Sequence, residues 1–218
     1  MNDKISIIIL THNAPKYVRL TLASLKKYTK GNYEVLVLDN ASKRPTRTLL
    51  KLLLRLGYIG KLVMSSHNTL FAGGNNILAA IADQDSKYFL LLNSDVEIKS
   101  SEWLTNLLKI HKKNKAGITT YGVVDTEPKR VDGYCYLIDA DLYRKFPLDE
   151  SYQWYWGITK QQAKVLNDGH IVQGVKDHEQ YLHHFGGKSG DSFIGAKGMD
   201  TPQTKSKKWF NGKKPKFL

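Results

Sequence analysis

The sequence contains a single cysteine, Cys135, among its 218 residues. One cysteine excludes an internal disulfide, so the hydrophobic core must hold the fold, and this cysteine usage fits a reducing compartment. Cys135 lies in the apolar run of residues 134–138 (YCYLI). That setting favours a buried side chain that packs as a small hydrophobe over a reactive nucleophile.

Long apolar runs are missing as well. Runs such as residues 7–10 and 89–92 are far shorter than the roughly 20 residues needed to span a bilayer. The start of the chain carries Asp3 beside Lys4 and lacks the apolar stretch and small-residue cleavage site of a signal peptide. We therefore expect a cytoplasmic protein that contacts a membrane, if at all, only peripherally at its inner face.

Acidic residues are scarce, with 20 against 33 basic ones, which gives a net charge of +13. This excess favours an anionic partner such as a diphosphate, a membrane surface with acidic lipids, or a nucleic acid. Charge alone does not choose among the three. The 41% hydrophobic and 24% charged residues indicate a globular chain rather than a disordered one.

Short apolar runs alternate with helical patterns along the chain. The predicted strands are residues 5–10, 33–38, 61–64, 88–92, 118–124 and 134–138. The predicted helices begin at Pro15 and then cover residues 46–56, 75–82, 102–112, 140–145 and 160–166. This alternation predicts an α/β fold with a mostly parallel central sheet covered by helices on both faces.

Polar segments follow four of these strands, at residues 11–13, 39–40, 65–74 and 93–95. Ligands of open α/β sheets bind at the carboxyl ends of the strands. We therefore expect these four segments to converge on one ligand site.

The last segment, Asn93-Ser94-Asp95, directly follows a buried run. A carboxylate at a strand end can bind a hard cation such as Mn²⁺ or Mg²⁺, which offsets the charge on a leaving diphosphate. Asn, Ser and Asp are also common turn residues, and the tripeptide alone fits a turn better.

Gly73 and Gly74 are predicted to open a helix at about Asn75, where backbone N–H groups can approach a ligand closely. The segment matches neither G-x-G-x-x-G nor a Walker loop. It therefore supports neither Rossmann dinucleotide binding nor ATP hydrolysis.

Taken in order, four motifs resemble those of the family 2 inverting glycosyltransferases of the GT-A fold, especially the rhamnosyltransferase-like branch. They are residues 7–13 (IIILTHN), 37–42 (VLDNAS), 68–76 (NTLFAGGNN) and 91–95 (LLNSD). Two weaker similarities follow, at residues 147–150 (PLDE) and 184–189 (HFGGKS). The resemblance implies transfer of a sugar from a UDP- or dTDP-linked donor to a hydroxyl, with inversion.

The resemblance also implies which residues bind the nucleotide sugar: Thr11, Asn13, Asp39, Gly73, Gly74, Asn76 and Asn93. Thr11 and Asn13 would line the nucleobase pocket, and Asp39 would contact the base or the ribose. A helix cap or turn is the alternative role for Asp39.

By the same resemblance, Asp95 would bind a divalent metal, Mn²⁺ or Mg²⁺, and His184 would be a later contact to the metal or the diphosphate. An ordinary surface histidine is an equally weighted interpretation of His184.

One departure from the family concerns the general base that inverting transfer requires. The family has a Glu-Asp pair shortly after an aromatic-glycine stretch, whereas residues 154–162 (WYWGITKQQ) contain no carboxylate. Asp149 and Glu150 are the nearest candidates for the base, with a solvated loop as the alternative. The aromatic residues of the segment would suit sugar stacking, although core packing of at least one is favoured.

These features predict one GT-A domain over residues 1–200, with a nucleotide-sugar half over about 1–116 and an acceptor half over about 117–200. Residues 201–218 hold six lysines and no acid, and we expect a basic tail that is mobile or becomes ordered only against a partner. Such a tail would suit an anionic membrane surface or, less favourably, a nucleic acid.

The expected acceptor is a lipid-linked or polymeric glycan in cell-surface glycan assembly. Three other functions stay open. The chain could be a glycosyltransferase-like binding module without a base, a sugar transferase acting on nucleic acid, or a nucleic-acid-binding protein.

Overall fold

The computed structural model describes residues 3–190 and 192–218 and is built around an eight-stranded sheet. Within these residues the strands are β1 (Lys4–Thr11), β2 (Tyr33–Asn40), β3 (Lys61–Ser65), β4 (Ser86–Leu92), β5 (Val96–Ile98), β6 (Ala116–Tyr121), β7 (Val123–Val124), β8 (Arg130–Val131), β9 (Cys135–Asp139), β10 (Ile171–Val175), β11 (Leu182–His184) and β12 (Lys216–Phe217). The helices are α1 (Pro15–Tyr28), α2 (Arg44–Arg55), α3 (Leu70–Ile81), α4 (Trp103–Lys113), α5 (Ala140–Lys145), α6 (Tyr155–Asn167) and α7 (Gln203–Trp209).

The strand order of the central sheet is β12-β10-β6-β9-β4-β1-β2-β3. Strand β9 runs antiparallel to its neighbours β4 and β6, and the other neighbouring strands pair in parallel. The prediction of an α/β fold with a mostly parallel sheet is therefore confirmed. Two short antiparallel ribbons, β5–β11 and β7–β8, lie outside this sheet.

Helices cover both faces of the sheet because its inner strands are apolar on both sides. Ile7 and Ile9 share a core with α1, α2 and α4, whereas Ile8 shares a second core with α3, α5 and α6. Continuous apolar runs of this kind are typical of parallel strands buried on both faces. Cys135 is fully buried, as predicted. No helix in the described part of the chain combines the length and apolar character that crossing a bilayer requires.

Helix α3 corrects the prediction for the glycine pair, because it begins at Leu70 and not at about Asn75. Gly73 and Gly74 therefore lie inside the helix and do not open it. The start of α3 is held by side chains: Asn68 Oδ1 accepts the Leu70 N–H (2.9 Å), and Asn40 Oδ1 accepts the Thr69 N–H (2.6 Å). These hydrogen bonds stabilise the start of α3 and offset the low helix propensity of Gly73 and Gly74.

The prediction of a mobile tail over residues 201–218 is wrong. This segment forms α7 and β12, and β12 joins the edge of the sheet by pairing in parallel with β10. Phe210 is buried, and the Trp209 ring centroid lies 4.9 Å from that of Tyr152. The aromatic residues order the segment because they bury apolar surface against the rest of the protein. The many lysines around them make the same segment look like a solvated tail in the sequence.

Candidate functional site

A cavity of about 660 Å³ opens at the carboxyl ends of the central strands. Its wall includes the last residue of β2 and residues that follow β1 and β4: Asn40, His12, Asn93, Ser94 and Asp95. The prediction that polar segments at these strand ends converge is therefore confirmed. Of the polar segment over residues 65–74, Leu70 and Phe71 contribute.

Asp95 and His184 are brought together by the ribbon of β5 and β11, in which His184 pairs with Val96. His184 Nε2 lies 3.2 Å from Asp95 Oδ1 and 3.3 Å from Asn93 Nδ2. The Tyr134 ring stacks on the His184 ring at 4.3 Å between centroids and fixes its plane. Burial raises the pKa of Tyr134, so its phenol stays protonated.

This pair fits a divalent metal held jointly by protein and ligand. Neighbouring ligands of one octahedral ion with bonds of about 2.1 Å lie about 3 Å apart, close to the observed separation. In residues 3–190 and 192–218 no group of three His, Cys, Asp or Glu side chains converges. The protein would thus supply two ligands and leave the other positions to phosphate oxygens and water. An imidazole beside the carboxylate favours Mn²⁺ over Mg²⁺.

Thr11 and Asp39 occupy paired positions on β1 and β2. Their exposures are 1% and 0%, yet Thr11 Oγ1 and Asp39 Oδ2 have no hydrogen-bond partner among the described residues. Arg47 Nε lies 3.4 Å from Asp39 Oδ2, close enough for an ion pair but without hydrogen-bond geometry. Buried polar atoms without partners are costly in free energy and rare in native proteins. Neither residue belongs to the cavity wall, so a ligand would reach these oxygens only if neighbouring side chains such as Arg47 moved.

Asn13 ties the starts of α1 and α2 together beside this pair. Its N–H donates to Ser42 Oγ (2.7 Å), and its Oδ1 accepts the Lys43 N–H (2.8 Å). Positive φ angles cluster at the same sheet edge and the cavity wall, at Asn13, Ala14, Ala41, Leu70 and Trp154. Such strained backbone positions persist where the surrounding structure enforces them, which is common at functional sites.

The glycines have different surroundings. A Cβ on Gly74 would meet Leu10 Cδ1, whereas a Cβ on Gly73 would have only ordinary contacts, the nearest 3.6 Å away at Glu150 Oε2. Gly74 therefore allows α3 to approach β1 closely beside the cavity. Leu10 is part of the cavity wall, so the glycine also shapes the wall.

Asn76 anchors the segment that follows α5. Its Oδ1 accepts hydrogen bonds from Tyr143 Oη (2.9 Å) and the Leu148 N–H (3.1 Å), and its Nδ2 donates to the Leu148 carbonyl (2.9 Å). The neighbouring Asn75 lines the cavity instead. An Asn-Asn pair in the sequence does not reveal which member faces the ligand.

The structure does not bring Asp149 and Glu150 to the cavity wall. Asp149 Oδ2 lies 2.6 Å from Lys160 Nζ. Burial raises the pKa of Asp149, but the hydrogen bonds from Lys160 and the Ser151 N–H, together with the charges of Lys160 and Lys164, outweigh it, and the net shift is downward. Glu150 Oε1 accepts a hydrogen bond from Asn76 Nδ2 (3.1 Å). Neither carboxylate is placed to take a proton from an acceptor bound in this cavity.

The cavity wall contains a carboxylate that the sequence analysis missed, Asp132. Together with Asp95 it supplies the carboxylates of that wall within the described residues. Asp132 is half-buried, and its Oδ1 accepts the Gly133 N–H (2.7 Å). The Asp-Gly pair just before β9 resembles an ordinary turn, so no local pattern marks Asp132 as a functional residue.

Aromatic residues at the start of α6 complete the wall. Trp154 and Tyr155 line the cavity, and Trp156 is buried with its Nε1 donating to the Met199 carbonyl (3.2 Å). The expectation that at least one of these residues packs in the core is therefore confirmed. Ser192, also in the wall, has a buried Oγ without a partner among the described residues.

A mostly parallel sheet with helices on both faces and polar side chains at its strand ends defines a ligand-binding protein of the α/β class. The family model described as Glycosyl transferase family 2 matches residues 6–168. The chain belongs to this family.

Known relatives agree with this assignment at low identity. An uncharacterized glycosyltransferase of Haemophilus influenzae is 24% identical over 110 residues, which are 50% of this chain and 33% of that protein. The mannosyltransferase PcManGT of Pyrobaculum calidifontis, solved with GDP-Man and Mn²⁺, has a TM-score of 0.66 at 16% identity over 81% of this chain and 56% of that chain. S. aureus TarS residues 1–349, solved with UDP-GlcNAc, has a TM-score of 0.54 at 16% identity over 67% of this chain and 48% of that chain.

At these identities the solved structures establish the GT-A fold of this chain. The chain spans about a third of the curated relative and about half of the two structural relatives.

Proposed function

We propose that the protein transfers a sugar from a nucleoside diphosphate donor to an acceptor hydroxyl, with inversion at the anomeric carbon. The observation that carries this proposal is the Asp95–His184 pair, 3.2 Å apart in the wall of a large cavity at the strand ends. The bound ions and nucleotide sugars of the structural relatives give it further support.

Thr11 and Asp39 are proposed to bind the nucleobase. Uracil and thymine carry an imide N–H between two carbonyl oxygens. Asp39 Oδ2 can accept from that N–H, and Thr11 Oγ1 can donate to a carbonyl, so both unpartnered oxygens would gain partners. Arg47, which covers Asp39 and is partly exposed, would have to move aside. This chemistry supports a UDP- or dTDP-linked donor.

Asp95 and His184 would hold a divalent metal against the donor diphosphate, with Asn93 near the sugar or ribose. When bound, the metal would offset the charge that develops on the leaving nucleoside diphosphate. Tyr134 keeps the His184 ring in the orientation this requires.

Asp132 is proposed as the general base in place of Asp149 and Glu150. Its carboxylate takes the proton of the acceptor hydroxyl while the hydroxyl oxygen bonds to the anomeric carbon. The bond from that carbon to the diphosphate oxygen breaks at the same time, and its electron pair leaves with the nucleoside diphosphate. Attack opposite the leaving group inverts the configuration.

Trp154 and Tyr155 are proposed to stack on the acceptor sugar, because both are aromatic residues in the cavity wall at the start of α6. A lipid-linked or polymeric glycan at the cytosolic face of a membrane would suit such a platform, as part of cell-surface glycan assembly.

A turnover assay tests this function. The full chain is incubated with UDP- and dTDP-linked sugars, Mn²⁺ and glycan acceptors, and nucleoside diphosphate release is measured. We expect release that depends on both metal and acceptor, and a product of inverted configuration by NMR. Donor binding without turnover would favour the alternative of a binding module that lacks a base, which the carboxylate-free start of α6 suggests.

A further inference from the structure

The positive charge of the chain lies in its first third as well as in its C-terminal segment. Residues 4–82 hold 12 of the 33 basic residues but only two of the 20 acidic ones, Glu34 and Asp39. This stretch therefore carries +10 of the net charge of +13. Neither α1 nor α2 contains an acidic residue.

Helices α1 and α2 lie side by side on the same face of the sheet. Their buried residues share one core, and Lys26 Nζ on α1 donates to the Leu56 carbonyl at the end of α2 (3.1 Å). Their outer surface, here called the α1–α2 face, exposes six cations besides Lys26: Lys16, Arg19, Lys27, Arg44, Lys51 and Arg55. Across residues 3–190 and 192–218, none of these six has a carboxylate within 4.0 Å.

Large apolar side chains stand among these cations. Leu52 on α2 and Leu56, the residue that caps the end of α2, are 50% and 55% exposed and lie four residues apart. Lys51 and Arg55 precede them with the same spacing. A basic helix surface with leucines beside the cations is the composition of proteins that bind the membrane interface.

We propose that the α1–α2 face binds a lipid bilayer that contains anionic lipids. The cations would contact the lipid phosphates, and Leu52 and Leu56 would enter the boundary between headgroups and acyl chains. Single-stranded nucleic acid would match the charge, but it is bound through aromatic stacking platforms, and the most exposed large apolar residues of this face are leucines.

The same face adjoins the donor site. Asn13 links the starts of α1 and α2, and Thr11 and Asp39 lie on the strands that precede these helices. A bilayer on this face would therefore keep the site close to acceptors carried on lipid. The membrane proposal itself does not depend on the proposed transferase activity, because vesicle binding is measured without substrate.

Vesicle co-sedimentation of the full chain tests the proposal. The vesicles contain phosphatidylcholine alone or with 30 mole percent phosphatidylglycerol, the latter chosen at roughly the anionic content of a charged leaflet. Three double variants are compared with the unmodified chain: Lys51→Ala with Arg55→Ala, Leu52→Ser with Leu56→Ser, and Lys208→Ala with Lys214→Ala. The last removes the same charge from exposed positions of the C-terminal segment.

We expect binding to the anionic vesicles only, weakened by about fivefold for each α2 cation removed. The leucine variant should release vesicles in high salt, where charge is screened and the unmodified chain remains partly bound. The Lys208/Lys214 variant should bind nearly as well as the unmodified chain.

Three results would overturn the proposal. They are no binding to anionic vesicles, equal weakening of vesicle binding in the Lys51/Arg55 and Lys208/Lys214 variants, and unchanged vesicle binding in the Lys51/Arg55 variant. A single-stranded oligonucleotide serves as a further arm. If the Lys51/Arg55 variant loses oligonucleotide binding but keeps vesicle binding, the α1–α2 face binds a nucleic acid instead. Circular dichroism of each variant confirms that the helices are intact.

Discussion

Thr11 and Asp39 sit opposite each other on neighbouring parallel strands, and each buries a side-chain oxygen that has no hydrogen-bond partner among the described residues. A structural threonine or aspartate at such a depth would have its polar atoms satisfied. The two unpartnered oxygens therefore favour a ligand-binding role for Asp39 over a purely turn-forming one. Its Oδ1 accepts the Ser42 N–H (3.3 Å), which serves the turn, and its Oδ2, 3.4 Å from Arg47 Nε, would be open to a ligand once Arg47 moves.

Replacing Thr11 with valine tests the ligand interpretation. Thr11→Val removes an unsatisfied hydroxyl and keeps the shape, so the free energy of unfolding of the ligand-free protein should stay equal or rise. The dissociation constant of the nucleotide should increase about fivefold, the equivalent of about 1 kcal/mol for one hydrogen bond. Calorimetric titration and denaturant unfolding give the two quantities.

Thr119 provides a matched control for this substitution. Its buried Oγ1 is hydrogen-bonded to His111 Nδ1 (2.9 Å) and Gln173 Nε2 (2.9 Å). Thr119 does not line the cavity. Thr119→Val should lower the free energy of unfolding by about 1–3 kcal/mol and leave nucleotide affinity unchanged. The ligand interpretation of Thr11 fails if the two valine variants behave alike.

Asp132→Asn tests the assignment of the base. Loss of a general base lowers turnover by about 10²–10⁴-fold, whereas donor binding does not involve this carboxylate. We expect kcat to fall by that factor with an unchanged dissociation constant for the donor.

Asp149→Asn and Glu150→Gln distinguish Asp132 from the candidates suggested by the sequence. Both variants should keep most of the activity, because these side chains are engaged with Lys160 and Asn76 outside the cavity. Abolished turnover in Asp149→Asn together with an active Asp132→Asn would restore the sequence-based hypothesis.

Gly73 and Gly74 predict opposite outcomes for the same substitution. Gly74→Ala pushes the Leu10 side chain away from α3, and since Leu10 lines the cavity, we expect weaker donor binding. Gly73→Ala meets no close atom and replaces a helix glycine, so it should raise the free energy of unfolding by up to about 1 kcal/mol without affecting the donor. Equal donor affinities in the two variants would contradict the wall-shaping role of Gly74.

Asp83 predicts how stability depends on pH. Hydrogen bonds from Lys4 and then Lys61 lower the pKa of Asp83 from 3.8 to about 2. Because the pKa is lower in the folded state, the stabilisation is complete above the unfolded value and is lost as pH falls through about 2. The melting temperature should therefore fall between pH 4 and pH 2, and Asp83→Asn should reduce that slope. An identical slope in the variant would show that other carboxylates govern acid unfolding.

The sheet and most helices could be predicted from the sequence because burial of parallel strands produces continuous apolar runs, as in residues 5–10. The convergence of Asn93 and Asp95 with the ends of β1 and β2 followed from the same topology. His184 could be suspected only through family resemblance, since nothing local to it reveals the β5–β11 ribbon that carries it to Asp95.

The remaining misses have physical causes that no local pattern records. Helix α3 begins early because Asn40, distant in sequence, accepts the Thr69 N–H. The C-terminal segment is ordered because β12 pairs with β10 at the edge of the sheet. Asp132 escaped notice because its Asp-Gly context is that of a common turn, and only the folded chain places it in the cavity wall.

The most direct test of the account is a thermal-shift titration of the full chain with UDP, dTDP, GDP and ADP, each with and without Mn²⁺. We predict that UDP or dTDP raises the melting temperature, that Mn²⁺ increases the shift, and that Asp95→Ala removes the Mn²⁺-dependent part. At a ligand concentration 100 times the dissociation constant the stabilisation would be about 2.7 kcal/mol. No shift with any of the four nucleotides in the presence of Mn²⁺ would contradict the proposed nucleotide-sugar site.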